Sequence, residues 1–165
     1  MPKSEEFLKQ AFAGESQANR KYLAFAEVAD KEGYHQAARL FRAAAEAETI
    51  HALSHLKALR VLGSTKQNLK EAIEGETSEF TDMYPGMIKT AQDECNQDAQ
   101  VSFYRANEAE KIHAEMYKGM LEWLDEKQDS YPYYVCPVCG YTVGWDAPNS
   151  CPVCATQKKM FKKIE

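Results

Sequence analysis

The sequence predicts a mainly α protein in which a four-helix bundle is followed by a small metal-binding module. The first 127 residues are rich in Ala, Glu, Lys, Gln and Leu, which favour helices, and their only interior proline is Pro85. A short segment occurs twice in this helical part. Four of the five cysteines lie in the last 30 residues, in two C-x-x-C pairs. We therefore expect a bundle domain over residues 1–130 and a cysteine module over 131–165.

The composition limits the class of protein. The chain has 165 residues, with 20 Lys+Arg against 25 Asp+Glu, so its formal charge of −5 is unlike that of a general nucleic-acid binder. No stretch approaches the roughly 20 consecutive apolar residues that a membrane-spanning helix needs. The polar, acidic start does not resemble a secretory signal. We expect a soluble, cytoplasmic protein with no nucleic-acid or membrane partner.

Helical periodicity and its interruptions predict four helices in the first part of the chain. They are expected at residues 4–31, 35–62, 67–93 and 97–127. The breaks fall near Gly33, near Gly63 and between Asp93 and Asp98. Residues 128–132 contain proline and polar side chains in place of helix formers, and we interpret them as a linker.

An internal repeat relates the two halves of the helical part. Residues 45–52 match residues 107–114 at six of eight positions. Upstream, Gly14 and Glu15 correspond to Gly75 and Glu76 at nearly the same offset. Two helix pairs of one design, packed together, form a four-helix bundle.

Each predicted helix carries a glutamate near the middle of its apolar stripe, and two carry a histidine three residues later. These side chains are Glu15, Glu48, Glu76 and Glu110, with His51 and His113. An apolar stripe faces the bundle interior, where a carboxylate without a partner costs several kcal/mol or takes up a proton. Two metal ions would satisfy the carboxylates and remove their mutual repulsion.

The spacing of these residues favours a two-metal site. Residues three apart lie on one helix face, about 4.5 Å apart along the axis, so both side chains of a Glu-x-x-His pair reach one cluster. One glutamate from each of two helices and one Glu-x-x-His from each of the others is the pattern of di-iron carboxylate bundles. Such oxygen-rich ligation suits iron or manganese better than structural zinc. Glu79 follows Glu76 by three residues, and periodicity alone leaves it facing either the site or solvent.

The paired cysteines predict a second metal site. Cys136, Cys139, Cys151 and Cys154 form two C-x-x-C turns separated by eleven residues. Four thiolates bind zinc or iron tetrahedrally, and the pattern does not distinguish the two metals. Cys95 stands apart without a motif, and we interpret it as a small helix residue.

Together these motifs resemble the rubrerythrin family along essentially the whole chain. The matching segments are residues 14–18, Glu48-x-x-His51, Gly75-Glu76-x-x-Glu79, residues 81–85, Glu110-x-x-His113 and the paired cysteines. The resemblance implies a ferritin-like di-iron bundle followed by a rubredoxin-like Fe(Cys)4 domain. The segment between the cysteine pairs is one residue shorter than the family pattern, so the loop around this site is expected to differ.

The resemblance also implies roles for individual residues. Glu48 and Glu110 would bridge the two irons, Glu15 would bind one iron, and Glu76 with His113 would bind the other. Glu79 would exchange with His51 as a ligand when the cluster is reduced, which makes these two the catalytic residues. Tyr22 and Tyr84 would hydrogen-bond near the cluster.

The activity implied by the resemblance is a peroxidase that reduces hydrogen peroxide to water in oxidative stress defence. Electrons would come from a rubredoxin or an NAD(P)H-dependent reductase through the Fe(Cys)4 centre. The expected assembly is a homodimer, either head-to-tail, with one subunit's module beside the other's di-iron site, or domain-swapped if the connection near Gly63 is long enough. The alternatives are a ferritin-type protein that oxidises and stores iron, and an interaction protein with a zinc ribbon.

Overall fold

The computed structural model describes residues 2–126 and 130–165. Residues 127–129, which include the predicted end of the fourth helix and part of the predicted linker, lie outside the described residues. The helices are α1 Lys3–Lys31, α2 His35–Leu59, α3 Thr65–Ser78, α4 Tyr84–Asp93 and α5 Gln97–Glu122. The strands are β1 Tyr133–Val135, β2 Thr142–Gly144 and β3 Lys162–Ile164. The predicted fold class, mainly α with a small C-terminal metal-binding module, is confirmed.

The chain divides into two compact units, Met1–Gly63 and Ser64–Glu165. The first contains α1 and α2, and the second contains the remaining helices and the strands. The predicted functional division at residue 130 stays a prediction. Within the described ranges, no helix combines the length and the apolar character needed to cross a membrane.

The first unit is a helical hairpin closed by small side chains. Ala26, Ala29 and Ala38 are buried between α1 and α2, and Phe41 packs against them. Alanines allow the two backbones to approach closely. At the turn, Gly33 adopts φ +85°, a conformation that glycine reaches without steric cost. The α2 helix ends at Leu59 rather than at the predicted residue 62 because the backbone turns left-handed after it.

The predicted third helix contains a π-helical turn. A capping box at Ser64 starts α3, and the backbone stays helical through Glu79–Met83 into α4. In this turn the N–H of Tyr84 donates to the carbonyl of Glu79, five residues back. Pro85, which follows, cannot donate and crowds the carbonyl four residues before it. We attribute the wider turn to this proline. Pro85 was evident in the sequence, but the π-helical turn was not predicted from it.

The connection between α4 and α5 contains Cys95, whose position differs from the one expected. Cys95 was expected within a helix, but it lies exposed in this turn with φ +56°. Its N–H donates to the carbonyl of Gln92 at 3.0 Å, which ends α4. Asn96 then caps α5 by accepting from the N–H of Ala99 at 3.1 Å.

The cysteine module is a three-stranded antiparallel sheet, in the order β2-β1-β3, with two similar turns. Gly140 N–H donates to Cys136 O at 3.0 Å, and Ala155 N–H donates to Cys151 O at 2.9 Å. The buried residues of the module are mainly the cysteines themselves, which Tyr141, Val153 and Phe161 surround. So small a core makes a bound metal the natural centre of this fold.

Candidate metal centres

Two matching groups of carboxylates and histidine lie in the two units. The α1–α2 group consists of Glu15, Glu48 and His51, and the α3–α5 group consists of Glu76, Glu110 and His113. Within each group the ligand atoms lie within 4.8 Å of one another. The internal repeat therefore corresponds to a repeated constellation in three dimensions.

The α1–α2 group has the more open histidine. His51 Nδ1 lies 3.0 Å from Glu48 Oε2, and the His51 side chain is 56% exposed. The hydrogen bond between the two carboxyls raises the pKa of Glu15 and lowers the pKa of Glu48. The two carboxyls are therefore close enough for one cation to bind both.

The α3–α5 group repeats this geometry in a more buried setting. His113 Nδ1 lies 2.7 Å from Glu110 Oε2 and 3.9 Å from Glu76 Oε1, and its side chain is 25% exposed. Burial, followed by the hydrogen bond and charge of Glu110, raises the pKa of Glu76 to about 7. The hydrogen bond from His113 lowers the pKa of Glu110. A divalent cation between the two carboxyls and the imidazole would satisfy all three side chains.

Glu79 and Tyr84 lie beside the α3–α5 group. Burial raises the pKa of Glu79, and the charge of Glu110 raises it further. Burial likewise raises the pKa of Tyr84, with contributions from the charges of Glu79, Glu110 and Glu76. Glu79 is thus half-buried and within electrostatic range of the group. Of the two orientations that periodicity allowed, facing the site or facing solvent, the structure has the first. Its exchange with His51 stays a prediction.

Tyr22 belongs to an aromatic cluster of the first unit. Its ring centroid lies 6.3 Å from those of Phe25 and Phe41. Packing between α1 and α2 accounts for this position. The expected hydrogen bond from Tyr22 to the cluster stays a prediction.

The four cysteines of the module form a site of the right size for a tetrahedral metal. The Sγ atoms of Cys136 and Cys154 lie 3.5 Å apart, as do those of Cys139 and Cys151. Metal–sulfur bonds of about 2.3 Å give an edge of about 3.8 Å between tetrahedral ligands. No disulfide joins the described cysteines. The donor set therefore fits an iron or zinc ion.

The thiols of Cys139 and Cys154 differ in how readily they ionise. Burial raises the pKa of Cys139. Burial also opposes ionisation of Cys154, but hydrogen bonds from the side chain and backbone of Thr156 outweigh it and lower the pKa of Cys154 to about 6. Cys154 can therefore bind a metal as a thiolate near neutral pH.

The cysteine module packs against α5 of its own chain. A Cβ atom built on Gly140 would lie 3.7 Å from that of Ala109, and His113 Nε2 lies 3.2 Å from the carbonyl oxygen of Gly140 and 3.0 Å from Thr142 Oγ1. The module is thus beside candidate ligands of its own chain, whereas the head-to-tail expectation placed it beside those of another subunit. Sequence reasoning missed Gly140 and Thr142 because neither lies in a metal-binding motif.

Comparison with protein families gives matches over both parts of the chain. The family model described as rubrerythrin matches residues 6–121, and the model described as the rubrerythrin, rubredoxin-like domain matches residues 134–162.

Individual relatives match nearly the full length. Rubrerythrin-2 of Clostridium acetobutylicum is 36% identical, with 95% of this chain and 94% of the relative covered. Nigerythrin of Nitratidesulfovibrio vulgaris is 40% identical over 94% of this chain and 84% of its own length. Among solved structures, nigerythrin in its mixed-valence state is 38% identical with a TM-score of 0.60, covering 97% of this chain and 86% of that one.

Proposed function

The chain belongs to the rubrerythrin family, and on this premise we propose that it is a peroxidase that reduces hydrogen peroxide to water. The family is one of oxidoreductases whose cofactors are a carboxylate-bridged di-iron site and an Fe(Cys)4 centre. Each peroxide consumes two electrons and two protons and yields two molecules of water. The proposal places this reaction in the cytoplasm, as part of oxidative stress defence.

The observation that carries the proposal is the packing of the cysteine module on α5, which also bears Glu110 and His113. An Fe(Cys)4 centre transfers one electron at a time, and a peroxide reductase must receive two electrons at its di-iron site after each turnover. A position of the first centre beside ligands of the second serves that need. A ferritin-type storage protein has no comparable need for such a relay. The contact therefore supports peroxide reduction over iron storage.

The residues of the two groups would hold the irons. Glu48 and Glu110 would bridge them, with Glu15 on one iron and Glu76 and His113 on the other. When bound, the irons supply the two electrons that cleave the O–O bond. The chain's own contribution is to hold the carboxylates of each group close together despite their repulsion, and those of the α3–α5 group are partly buried.

Glu79 and His51 are proposed as the exchanging pair. A carboxylate suits a ferric ion better than an imidazole does, so replacement of His51 by Glu79 would stabilise the oxidised state. The partly buried Tyr84 lies near Glu79 and Glu110, where its hydroxyl is proposed to hydrogen-bond to bound substrate or ligand. Tyr22 is proposed for the same role from the first unit.

The test is an anaerobic single-turnover experiment on the full chain. The protein is fully reduced, a small excess of hydrogen peroxide is added, and the visible spectrum is followed. A reduced Fe(Cys)4 centre is nearly colourless and becomes red on oxidation. Rapid reddening is expected, and it should be lost when Glu48 is replaced by Gln. The exposed Glu46 on the same helix provides the matched control, Glu46→Gln, which should redden normally.

Each other result has a definite meaning. Reddening that survives Glu48→Gln would show that peroxide oxidises the cysteine site directly, which contradicts the proposal. An absence of reddening in protein whose cysteines hold zinc would remove the relay and favour iron handling instead. A rubredoxin or an NAD(P)H-dependent reductase is the proposed electron donor, and restored turnover on its addition would support that assignment.

We further propose a homodimer whose subunits exchange helix pairs. Ferritin-like bundles need one long crossover because their second helix ends at the opposite end of the bundle from the start of the third. Eleven residues separate Glu48 from the end of α2, and eleven separate the start of α3 from Glu76, which together span about 33 Å along the bundle.

The connection between α2 and α3 has only residues 60–64 and reaches at most about 20 Å. It is too short for the crossover of a single-chain bundle. Two copies that each contribute one helix pair would satisfy the same geometry. From the sequence, a swap was expected only with a long connection, but this geometry makes the short connection the feature that supports it. In the swapped dimer the α1–α2 group of one copy would meet the α3–α5 group of the other.

A further inference from the structure

The two ring nitrogens of His113 have partners in different parts of the second unit. Nδ1 lies 2.7 Å from Glu110 Oε2, toward the candidate metal position. Nε2 points into the cysteine module, 3.2 Å from the carbonyl oxygen of Gly140 and 3.0 Å from Thr142 Oγ1. The ring thus joins the carboxylate group to the module.

The module partners favour a proton on Nε2. A backbone carbonyl only accepts, so the contact with Gly140 requires a proton on Nε2. Thr142 Oγ1 donates its own hydrogen to the same carbonyl at 2.9 Å, which leaves its lone pairs free to accept from Nε2. Without a metal, Nδ1 donates to Glu110; a metal bound at Nδ1 would replace that proton and leave a neutral ring with its one proton on Nε2.

We propose that Gly140 and Thr142 are positioning residues that orient His113 and hold the proton on its Nε2, so that the cysteine module helps to build the α3–α5 group of its own chain. This inference rests on the proposed role of His113 as a metal ligand. Partners of this kind, on the far nitrogen of a ligating histidine, set ring orientation and strengthen the ligand.

The fold of the cysteine site fixes both positioning groups. Gly140 directly follows Cys139, and its N–H donates to the carbonyl of Cys136. Thr142 pairs with Val135 in the sheet that leads into the first cysteine turn. Metal binding at the cysteines should therefore hold the carbonyl of Gly140 in place for His113, and the coupling between the two sites is reciprocal.

The repeat supplies an internal comparison. His51 occupies the position equivalent to His113, yet its side chain is 56% exposed, against 25% for His113. His51 lies in the first unit, outside the compact unit that contains the module. Loss of the module contacts should therefore affect His113 and leave His51 unchanged.

The experiment uses the full-length chain reconstituted with zinc, which is diamagnetic, and observes the histidine nitrogens by ¹⁵N NMR. In the wild type, His113 should carry its proton on Nε2, with slow exchange against water, and should bind zinc through Nδ1. Thr142→Val should accelerate this exchange about fivefold or more, the effect of losing one ordinary hydrogen bond. Thr142→Ser, which keeps the hydroxyl, should restore slow exchange. Thr90→Val, at an exposed position of α4, is the matched control.

Metal affinity provides a second readout. Cobalt(II) is titrated into full-length protein that holds zinc at the cysteines, and its binding to the carboxylate–histidine site is followed optically. Thr142→Val should weaken this binding roughly 10- to 100-fold, the usual effect of removing a partner from a ligating histidine. Thr142→Ser and Thr90→Val should bind as the wild type does.

The outcomes separate this inference from the proposed peroxidase activity, since no peroxide is used. A proton on Nδ1, zinc bound through Nε2, zinc absent from His113, or an unchanged exchange rate and affinity in Thr142→Val would each overturn it. If the His113 results are as expected but reduced protein fails to react with peroxide, the positioning role stands and the proposed activity is wrong.

Discussion

The Nδ1 atom of His113 lies 2.7 Å from Oε2 of Glu110, one helical turn earlier on α5. The same contact joins His51 and Glu48 on α2 at 3.0 Å. The repeat therefore provides two equivalent Glu-x-x-His pairs, each accompanied by one further glutamate. On the proposed function, each half of the chain would supply one half of the di-iron site.

Replacement of Glu110 by Gln should remove the di-iron site and spare the cysteine site. The amide keeps the size of the side chain but loses the charge that offsets two cations. Iron content should fall from about three ions per chain to about one, as measured by mass spectrometry of the metals. Glu115→Gln changes an exposed glutamate of the same helix and should retain all the iron. Full iron content in Glu110→Gln would exclude Glu110 as a bridging ligand.

Glu79→Ala should slow peroxide turnover while leaving iron content nearly intact. The proposed ligand exchange would be lost, but the other carboxylates and histidines would remain. We expect turnover to fall at least about tenfold, or roughly 1.4 kcal/mol of transition-state stabilisation. Turnover is measured with an excess of reductant, and Glu74→Ala, at an exposed position of α3, is the control. Unchanged turnover would remove Glu79 from the mechanism.

The periodic parts of this structure could be predicted from the sequence. The start of α5 at Gln97 and the end of α1 at Lys31 lie where helix formers give way to turn residues. The glutamates and histidines of the two groups could be identified because charges interrupted apolar stripes at a regular spacing. Local patterns such as these depend on residues within one or two helical turns.

Features that depend on tertiary contact could not be predicted in this way. The π-helical turn at Glu79–Met83 reflects steric crowding by Pro85, which periodicity does not register. The contacts of Gly140 and Thr142 with His113 join residues at least 27 positions apart, through a sheet and a helix that share no sequence pattern. Such contacts can be predicted only when the packing of the module on α5 is known.

A longer connection between α2 and α3 should convert the proposed swapped dimer into a monomer. About 20 flexible Gly/Ser residues inserted after Leu62 would span the bundle and let one chain supply both helix pairs. Light scattering after size-exclusion chromatography should show a dimer for the wild type and a monomer that retains its iron for the variant. The same insertion at the α1–α2 turn, beside Gly33, should remain dimeric. A dimer unaffected by the longer connection would count against exchange of the helix pairs.

Loss of the Asn19 amide should destabilise the first unit. Asn19 Nδ2 donates to the carbonyl of Ala45 at 2.6 Å and to Thr49 Oγ1 at 2.8 Å, and so joins α1 to α2. Asn19→Ala should lower the free energy of unfolding by about 1–3 kcal/mol, as measured by urea denaturation. The exposed Gln10, on the same helix, gives the control Gln10→Ala, which should change the stability by less than about 0.5 kcal/mol. Equal stability of the two variants would show that the hydrogen bonds of Asn19 contribute little to the free energy of unfolding.

The carboxylate of Asp30 should stabilise the α1–α2 hairpin only above acidic pH. Hydrogen bonds from Arg42, and then from His35, lower the pKa of Asp30 below its ordinary value of 3.8. A lowered folded-state pKa gives stability that is present above the unfolded pKa and is lost as pH falls through the folded one. Asp30→Asn should therefore lower the melting temperature at pH 7, and the difference from wild type should shrink toward zero near pH 2.

This comparison is made on metal-free full-length protein, so that release of metal in acid does not contribute. Glu27→Gln, at an exposed position of α1, controls for loss of one negative charge from the same helix and should melt close to the wild type throughout. A difference between Asp30→Asn and wild type that is equally large at pH 7 and pH 2 would assign the effect to packing. A difference that grows as pH falls would contradict the direction of the pKa shift of Asp30 and its assignment to Arg42.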